Sequence, residues 1–318
     1  MSKRSRVYAV VGIAAAVSIG TVAAVVVASG GDGRAASSPT KTLKGRPPLE
    51  LDLGVRDDAE STALRRAATL YAHGNPVDAA RIFERYDSVE ADVGTALASW
   101  PDRTIETLGR LAAAHPESSF VRLHLGLALY WAGQRQQAVA AWKAAKRGRP
   151  DTLSAVRADD LLHPQYNRGL PTFVPSFAAP SLTAHGDSAQ LAELASRRGV
   201  HDRIWYGIAL ERLGHPLSAE RVFARAAERA PDDPDAQTAA AFGLFDKAHP
   251  ERAFSHLGPL TKRFPHAATV RFHLALALLW LGEVKEGRKQ LRLAEQVEPR
   301  SRLALEARVF LQKLASTR

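Results

Sequence analysis

Apolar and polar positions divide the chain into three regimes. Val7 to Ala28 runs 22 residues without a charge, VYAVVGIAAAVSIGTVAAVVVA. As a helix at about 1.5 Å per residue it would span roughly 33 Å, matching a hydrocarbon core roughly 30 Å thick. Lys3, Arg4 and Arg6 precede it directly, and the nearest charges after it, Asp32 and Arg34, cancel. Lysine and arginine favour the cytoplasmic side, so the short N-terminal tail stays inside and the bulk of the chain is exported. A cleaved signal peptide is the alternative, with Val-Val-Ala before Ser29 as its small-residue site; such apolar regions usually run about 7–15 residues, which favours an uncleaved anchor over residues 1–29. Residues 30–58 show no period and begin rich in Gly, Ser, Pro and Lys. They read as a flexible linker that becomes more ordered near Leu49.

From residue 59 onward, short helix-like apolar stretches alternate with Gly and Pro punctuation. VRLHLGLALYWAG at 121–133 returns as VRFHLALALLWLG at 270–282, with nine of thirteen positions identical. Continuing from the first copy, Gly126, Gly133, Ala138, Trp142, Ala145 and Pro150 hold fixed offsets. Gly207, Gly214, Ala219, Phe223, Ala226 and Pro231 repeat them, as do Ala275, Gly282, Gly287, Leu291, Ala294 and Pro299. A weaker copy holds Ala67, Gly74, Ala79 and Phe83. The pattern predicts two closely packed helices. Small residues let the backbones approach, and a glycine ends the first helix in the left-handed region. A large residue fills the space between the helices, and a proline stops the second. One such pair cannot bury its apolar face alone, whereas stacked pairs bury a continuous core.

This pattern resembles the tetratricopeptide repeat (TPR) family over roughly residues 59–314. Arg122 stands where that family usually carries a first-helix tryptophan. The resemblance implies an all-α solenoid of TPR-like helix pairs, here behind a single N-terminal transmembrane helix. A longer period overlies the short one. Pro101, Leu108, Gly109 and Pro116 meet Pro250, Leu257, Gly258 and Pro265 at a constant offset of 149. GNPVDAARIF at 74 matches GHPLSAERVF at 214, and TLSAVRADDLL at 152 aligns with SRLALEARVFL at 301 as closing helices. The expectation is a tandem duplication, with one module over 59–163 and a second over 189–318. Between them, residues 164–188 carry Pro164, Pro171, Pro175 and Pro180, which forbid a continuous helix. Tyr166, Phe173 and Phe177 make this segment more apolar than a plain linker. Two readings stay open: an extended strap over the junction of the modules, or a segment that blocks a groove or docks a partner.

Composition and charge narrow the function. The chain has 318 residues and no cysteine, which excludes disulfides, cysteine nucleophiles and thiolate metal sites. Of the net charge of +10, residues 1–46 carry +6 (seven Lys and Arg against Asp32), leaving +4 for the rest. Those remaining charges alternate in sign along helices, with no basic block interleaved with aromatics, so nucleic acid is not the expected partner. No phosphate loop, nucleophile elbow, zinc-protease helix or dinucleotide fingerprint occurs, and no cofactor or small-molecule substrate is indicated. Asp160 and His163 are the nearest approach to a metal pair, and a helix ending at Pro164 with His163 near its C-terminal dipole explains them equally well. The expectation is therefore a protein without catalytic residues.

The resemblance implies that first helices line a concave groove for a peptide or partner protein. By those offsets the groove would hold Leu123, His124, Leu127, Tyr130 and Trp131; Ile204, Trp205, Ile208 and Arg212; and Phe272, His273, Leu276, Leu279 and Trp280. His124 and Trp131 are seven apart and share a helix face, as do His273 and Trp280. Inherited core residues are the competing reading. Corresponding positions are mainly Leu and Ile, so an apolar peptide or helix fits better than the carboxylate clamp of some family members. The function expected is a membrane-anchored scaffold for a protein partner in the cell envelope. The rivals are an accessory subunit of a membrane enzyme or secretion complex, and a hydrolase with a site hidden from linear sequence.

Overall fold

A computed structural model of the chain describes residues 42–316. The expected membrane span at 7–28 and the first part of the expected linker lie outside these residues. Among the described residues no helix is long and apolar enough to cross a membrane. They form 15 α-helices and no strand. The first half contains α1 (Ala59–Ala72), α2 (Pro76–Phe83), α3 (Val89–Ala98), α4 (Thr104–Ala114), α5 (Ser119–Trp131), α6 (Arg135–Gly148) and α7 (Leu153–Leu162). The second contains α8 (Asp187–Ser196), α9 (Val200–Arg212), α10 (Pro216–Arg229), α11 (Pro234–Phe242), α12 (Glu251–Arg263), α13 (Ala268–Trp280), α14 (Val284–Val297) and α15 (Arg302–Ser316). Each helix packs on its successor from α1 to α7 and again from α8 to α15, giving an α-solenoid of helix pairs.

The repeated small and large residues account for the pairing. The links α1–α2, α5–α6, α9–α10 and α13–α14 all place a glycine at mid-turn. Gly74, Gly133, Gly214 and Gly282 have φ between 80° and 82°, a region that costs other residues about 1–2 kcal/mol. Within the pairs, a Cβ on Gly126 would lie 2.4 Å from Trp142, and one on Gly207 would lie 2.3 Å from Phe223. Only a residue without a side chain lets each aromatic fill the space between its two helices. Side-chain caps start several helices: Ser118 Oγ accepts from Val121 N of α5 at 3.3 Å, and Asp233 from Ala236 N of α11 at 3.0 Å.

Two non-helical segments complete the architecture. Strap 1, residues 42–57, precedes α1. Strap 2, residues 164–186, joins α7 to α8. The sequence anticipates for the first a flexible linker that becomes more ordered near Leu49. In the structure it is an extended chain with specific partners: Leu43 N donates to Trp131 O at 3.0 Å, and Tyr71 Oη donates to Pro47 O at 2.6 Å. Strap 2 belongs to the core, because Phe173 is 1% exposed and joins the hydrophobic cluster of the second half.

Several polar contacts join the halves. The Asp151 carboxylate, just before α7, accepts from Leu217 N at 2.8 Å and Ser218 N at 3.1 Å. It thereby caps α10, whose own N-cap residue His215 supplies no side-chain bond. Lys146 of α6 pairs with Asp159 at 2.7 Å and lies 3.5 Å from Asp246. The fully buried Lys247 side chain pairs with Asp160 of α7.

Candidate peptide-binding grooves

The first helix of each pair (α1, α3 and α5, then α9, α11 and α13) contributes to the groove side, and each strap lies along that side of its own half. The centre of each groove is a buried histidine. His124, on α5, is 0% exposed. Its Nδ1 bonds Phe120 O at 2.8 Å, one turn back, and its Nε2 accepts from Glu50 N of strap 1 at 3.1 Å. His273, on α13, repeats this with Thr269 O at 2.7 Å and Val174 N of strap 2 at 2.9 Å. Only a neutral imidazole donates at one nitrogen and accepts at the other. Burial enforces that state, pushing His124 down to about 4 and His273 down to about 3.

The correspondence extends along both straps in one register. Pro47 and Pro171 are both buried, and Glu50 and Val174 both present N–H to a histidine. Gly54 O accepts from Arg65 Nη2 of α1 at 3.4 Å, and Ala178 O accepts from Trp205 Nε1 of α9 at 3.1 Å. Gly45 and Gly169 both take positive φ, 84° and 77°, where the chain turns in. Each of these strap pairs is separated by 124 residues. Both straps also reach the closing helix. Asp52 accepts from Ser154 N of α7 at 3.2 Å, and Phe177 O accepts from Arg302 of α15 at 3.4 Å.

Groove 2 holds its strap with more main-chain bonds. Glu211 accepts from Phe173 N at 3.0 Å, and Asp235 accepts from Ser176 N at 3.0 Å and Ser176 Oγ at 2.5 Å. Phe173 stacks on His273 at 4.2 Å and 14°, and Phe177 stacks on His201 at 3.8 Å and 8°. Glu211 borders a cavity of about 20 Å³ with Leu170, Pro171, Phe242 and Phe245. Burial among these apolar groups pushes its carboxyl up to about 8. Burial also raises Asp235, opposed by the hydrogen bonds from Ser176 and Thr269.

The residues singled out from sequence fall into two groups. Leu123 and Leu127 pack with Ala138, Trp142 and Ala158 in a cluster of α5, α6 and α7. Ile204, Ile208, Phe272 and Leu276 are likewise buried in the core of the second half. His124, His273 and Trp205 do face the groove, where the straps engage them. Tyr130, Trp131, Arg212, Leu279 and Trp280 are half-buried. Burial lowers the Arg212 guanidinium, and Glu211 beside it opposes that shift. Tyr71, Arg65, Glu211 and Asp235, which also grip the straps, lie outside the repeated peptides. The one available signal was Gly45-x-Pro47 against Gly169-x-Pro171. Asp160 and His163 diverge in role: Asp160 accepts from Gly169 N and pairs with Lys247 and Arg157, while His163 pairs with Asp159. Among the described residues, no cluster of three or more His, Asp or Glu could hold a metal ion.

No family model and no curated protein matches the chain. Solved structures similar to it are TPR proteins. YrrB, described as a TPR protein with an unusual peptide-binding site, is 16% identical, covers 64% of this chain and 98% of its own, and has a TM-score of 0.30. A thermophilic TPR protein of Thermus thermophilus is 19% identical, covers 70% of this chain and 100% of its own, and scores 0.25. The TPR2AB domain of yeast Sti1 in a pHSP90 complex is 12% identical, covers 75% of this chain and 90% of its own, and scores 0.28.

Proposed function

We propose that the chain is a non-catalytic protein-interaction scaffold whose grooves hold extended polypeptide. The carrying observation is that both grooves already do so in cis, through buried side chains that bond the main chain of an extended segment. The repeated helix pairs, with their shared glycine turns and aromatic fillers, support a TPR-like scaffold. The matching contacts of the two halves support an origin by tandem duplication in which strap and helices were copied together. We further read the chain as anchored in the cell envelope. That reading rests on the uncharged residues 7–28 behind Lys3, Arg4 and Arg6, with the solenoid on the extracytoplasmic side.

The test is a crosslinking pull-down from native membranes, comparing the intact chain with a Trp131→Ala/Trp280→Ala variant of unchanged helical circular dichroism. These two rim tryptophans are half-buried, so their loss spares the histidine centres. A partner captured by the intact chain and lost from the variant is the expected result. Identical partners in both would remove the grooves from the binding function.

A further inference from the structure

The two straps answer one recognition problem in two grooves, and they share a pattern. A glycine of positive φ turns the chain in, at Gly45 and Gly169. Two residues on, a proline is buried, at Pro47 and Pro171. Two further on, an apolar side chain packs, at Leu49 and Phe173. The next residue gives its N–H to the histidine, at Glu50 and Val174. The remaining positions differ freely: Arg46 against Leu170, Pro48 against Thr172, Glu50 against Val174. A surface that reads main chain, one turn and one proline constrains few side chains, so a segment of another protein with this pattern would meet the same partners.

The grooves differ in how firmly they are filled. Strap 2 is covalently fixed at both ends, between α7 and α8, and buries Pro171, Phe173 and Pro175. Strap 1 joins a described helix only at α1. It buries Pro47 and Leu53 while Leu43 is 41% exposed. Its main chain donates to the groove at Leu43 and Glu50, against six donations to side chains from strap 2, at Gly169, Phe173, Val174, Ser176, Thr183 and Ala184. Groove 1 also keeps an unmet donor. The buried Trp131 indole N–H has no acceptor among the described residues.

We propose that groove 1 exchanges strap 1 for an extended segment of a partner protein carrying Gly-x-Pro-x-apolar-x, the last residue donating its N–H to His124 Nε2. Strap 1 is then an intramolecular competitor, and groove 2 stays closed as the permanent support. This rests on the scaffold reading above and names the chemistry of its partner. Because strap 1 occupies the site in the ground state, the apparent affinity for a free segment is reduced by the fraction of open grooves.

The probe is a fluorescent peptide of residues 42–53, TLKGRPPLELDL, titrated by anisotropy against the full chain in detergent. In the Glu50→Pro chain, strap 1 loses the N–H that reaches His124, and the peptide should bind about tenfold tighter than to the unaltered chain. The same peptide with proline at position 50 should lose binding by at least tenfold on both chains. Should Glu50→Pro disturb folding, Arg46→Ala replaces it; this removes exposed strap bonds to Ala98 O and Trp100 O and should raise affinity in the same direction. A sole thiol at Leu53→Cys, in a chain without cysteine, reports strap release by its labelling rate. If the thiol shows strap 1 leaving and the peptide binds neither variant, the inference is overturned. A membrane partner still captured through the groove rim would then leave the scaffold reading standing. Peptide binding without any captured partner would do the reverse.

Discussion

At the scale of single residues, the grooves depend on histidines that must stay neutral. His124 and His273 have ordinary values of 6.5 but fall to about 4 and about 3 when buried. From pH 6.5 down to those values, the unfolded chain binds protons that the folded chain refuses, so stability falls as pH falls through that window. Glu211 acts with the opposite sign. Its carboxyl rises from 4.5 to about 8, so its contribution is present below 4.5 and is lost as pH rises through 8. The windows overlap between 4.5 and 6.5, where the two histidines outweigh the single carboxyl, so these groups predict a stability maximum near pH 6.5, with falling stability on either side. Denaturation midpoints measured from pH 4 to 9 should show it. A His124→Gln/His273→Gln variant, whose amides can donate and accept as the rings do, should lose most of the acid-side slope. Glu211→Gln should flatten the slope between 4.5 and 8 and gain relative stability at pH 8. An unchanged acid limb in the histidine variant would mean that neither ring couples the straps to protonation.

At the scale of elements, helices and straps differ in how they are specified. The helix pairs are legible in the sequence because their packing demands recur at constant spacing. A glycine opposite Trp142 or Phe223, and a glycine in each turn, cannot drift without a clash or backbone strain. The straps escape this logic. An extended segment docked through main-chain N–H groups constrains few side chains, so strap 1 and strap 2 share little beyond Gly-x-Pro. Their offset of 124 also differs from the 140 and 149 of the helices, so no single alignment captures both. The same holds for the site. His124 and His273 stood out because the peptide around them is repeated, but nothing in that repeat said that their partners lay 74 and 99 residues upstream. Leu123 and Phe272 share those helices, and their burial against neighbouring helices follows from the same periodicity that suggested a surface. The straps should also differ in energy. Phe173→Ala empties a 1%-exposed site and should cost about 3–5 kcal/mol in chemical denaturation. Leu49→Ala, at a half-buried position, should cost well under half of that. As sole thiols under native conditions, Leu53→Cys should label faster than Phe173→Cys, because fewer main-chain bonds hold strap 1 than strap 2. Equal rates would make both straps equally permanent.

At the scale of the whole molecule, the question is what holds two grooves at a fixed spacing. Buried polar groups bridge the halves beside the close approach of Leu153 to Gly214. Asp151 caps α10 across the boundary, and Lys247 reaches back to Asp160 and to Asn167 O at 2.7 Å. Buried ion pairs of this kind add little net stability over an apolar replacement, yet breaking one side costs about 3–5 kcal/mol because a charge is left unmatched. They also accept only one relative placement of their partners, which a greasy contact would not require. Lys247→Met leaves Asp160 to Arg157 and the Gly169 N–H and should therefore destabilise by less than that full cost, and Asp151→Ala by about 1 kcal/mol as a lost cap. The decisive variant is Lys247→Met with Asp160→Leu, which removes both charges. Its stability should recover most of the loss, while cooperativity should not. Circular dichroism and tryptophan fluorescence, with Trp142 in one half and Trp205 in the other, should trace one coincident transition in the unaltered chain and two in the double variant. If the double variant still unfolds in a single step, the Asp151 cap and the covalent strap are enough to couple the halves, and the buried pair contributes stability without alignment.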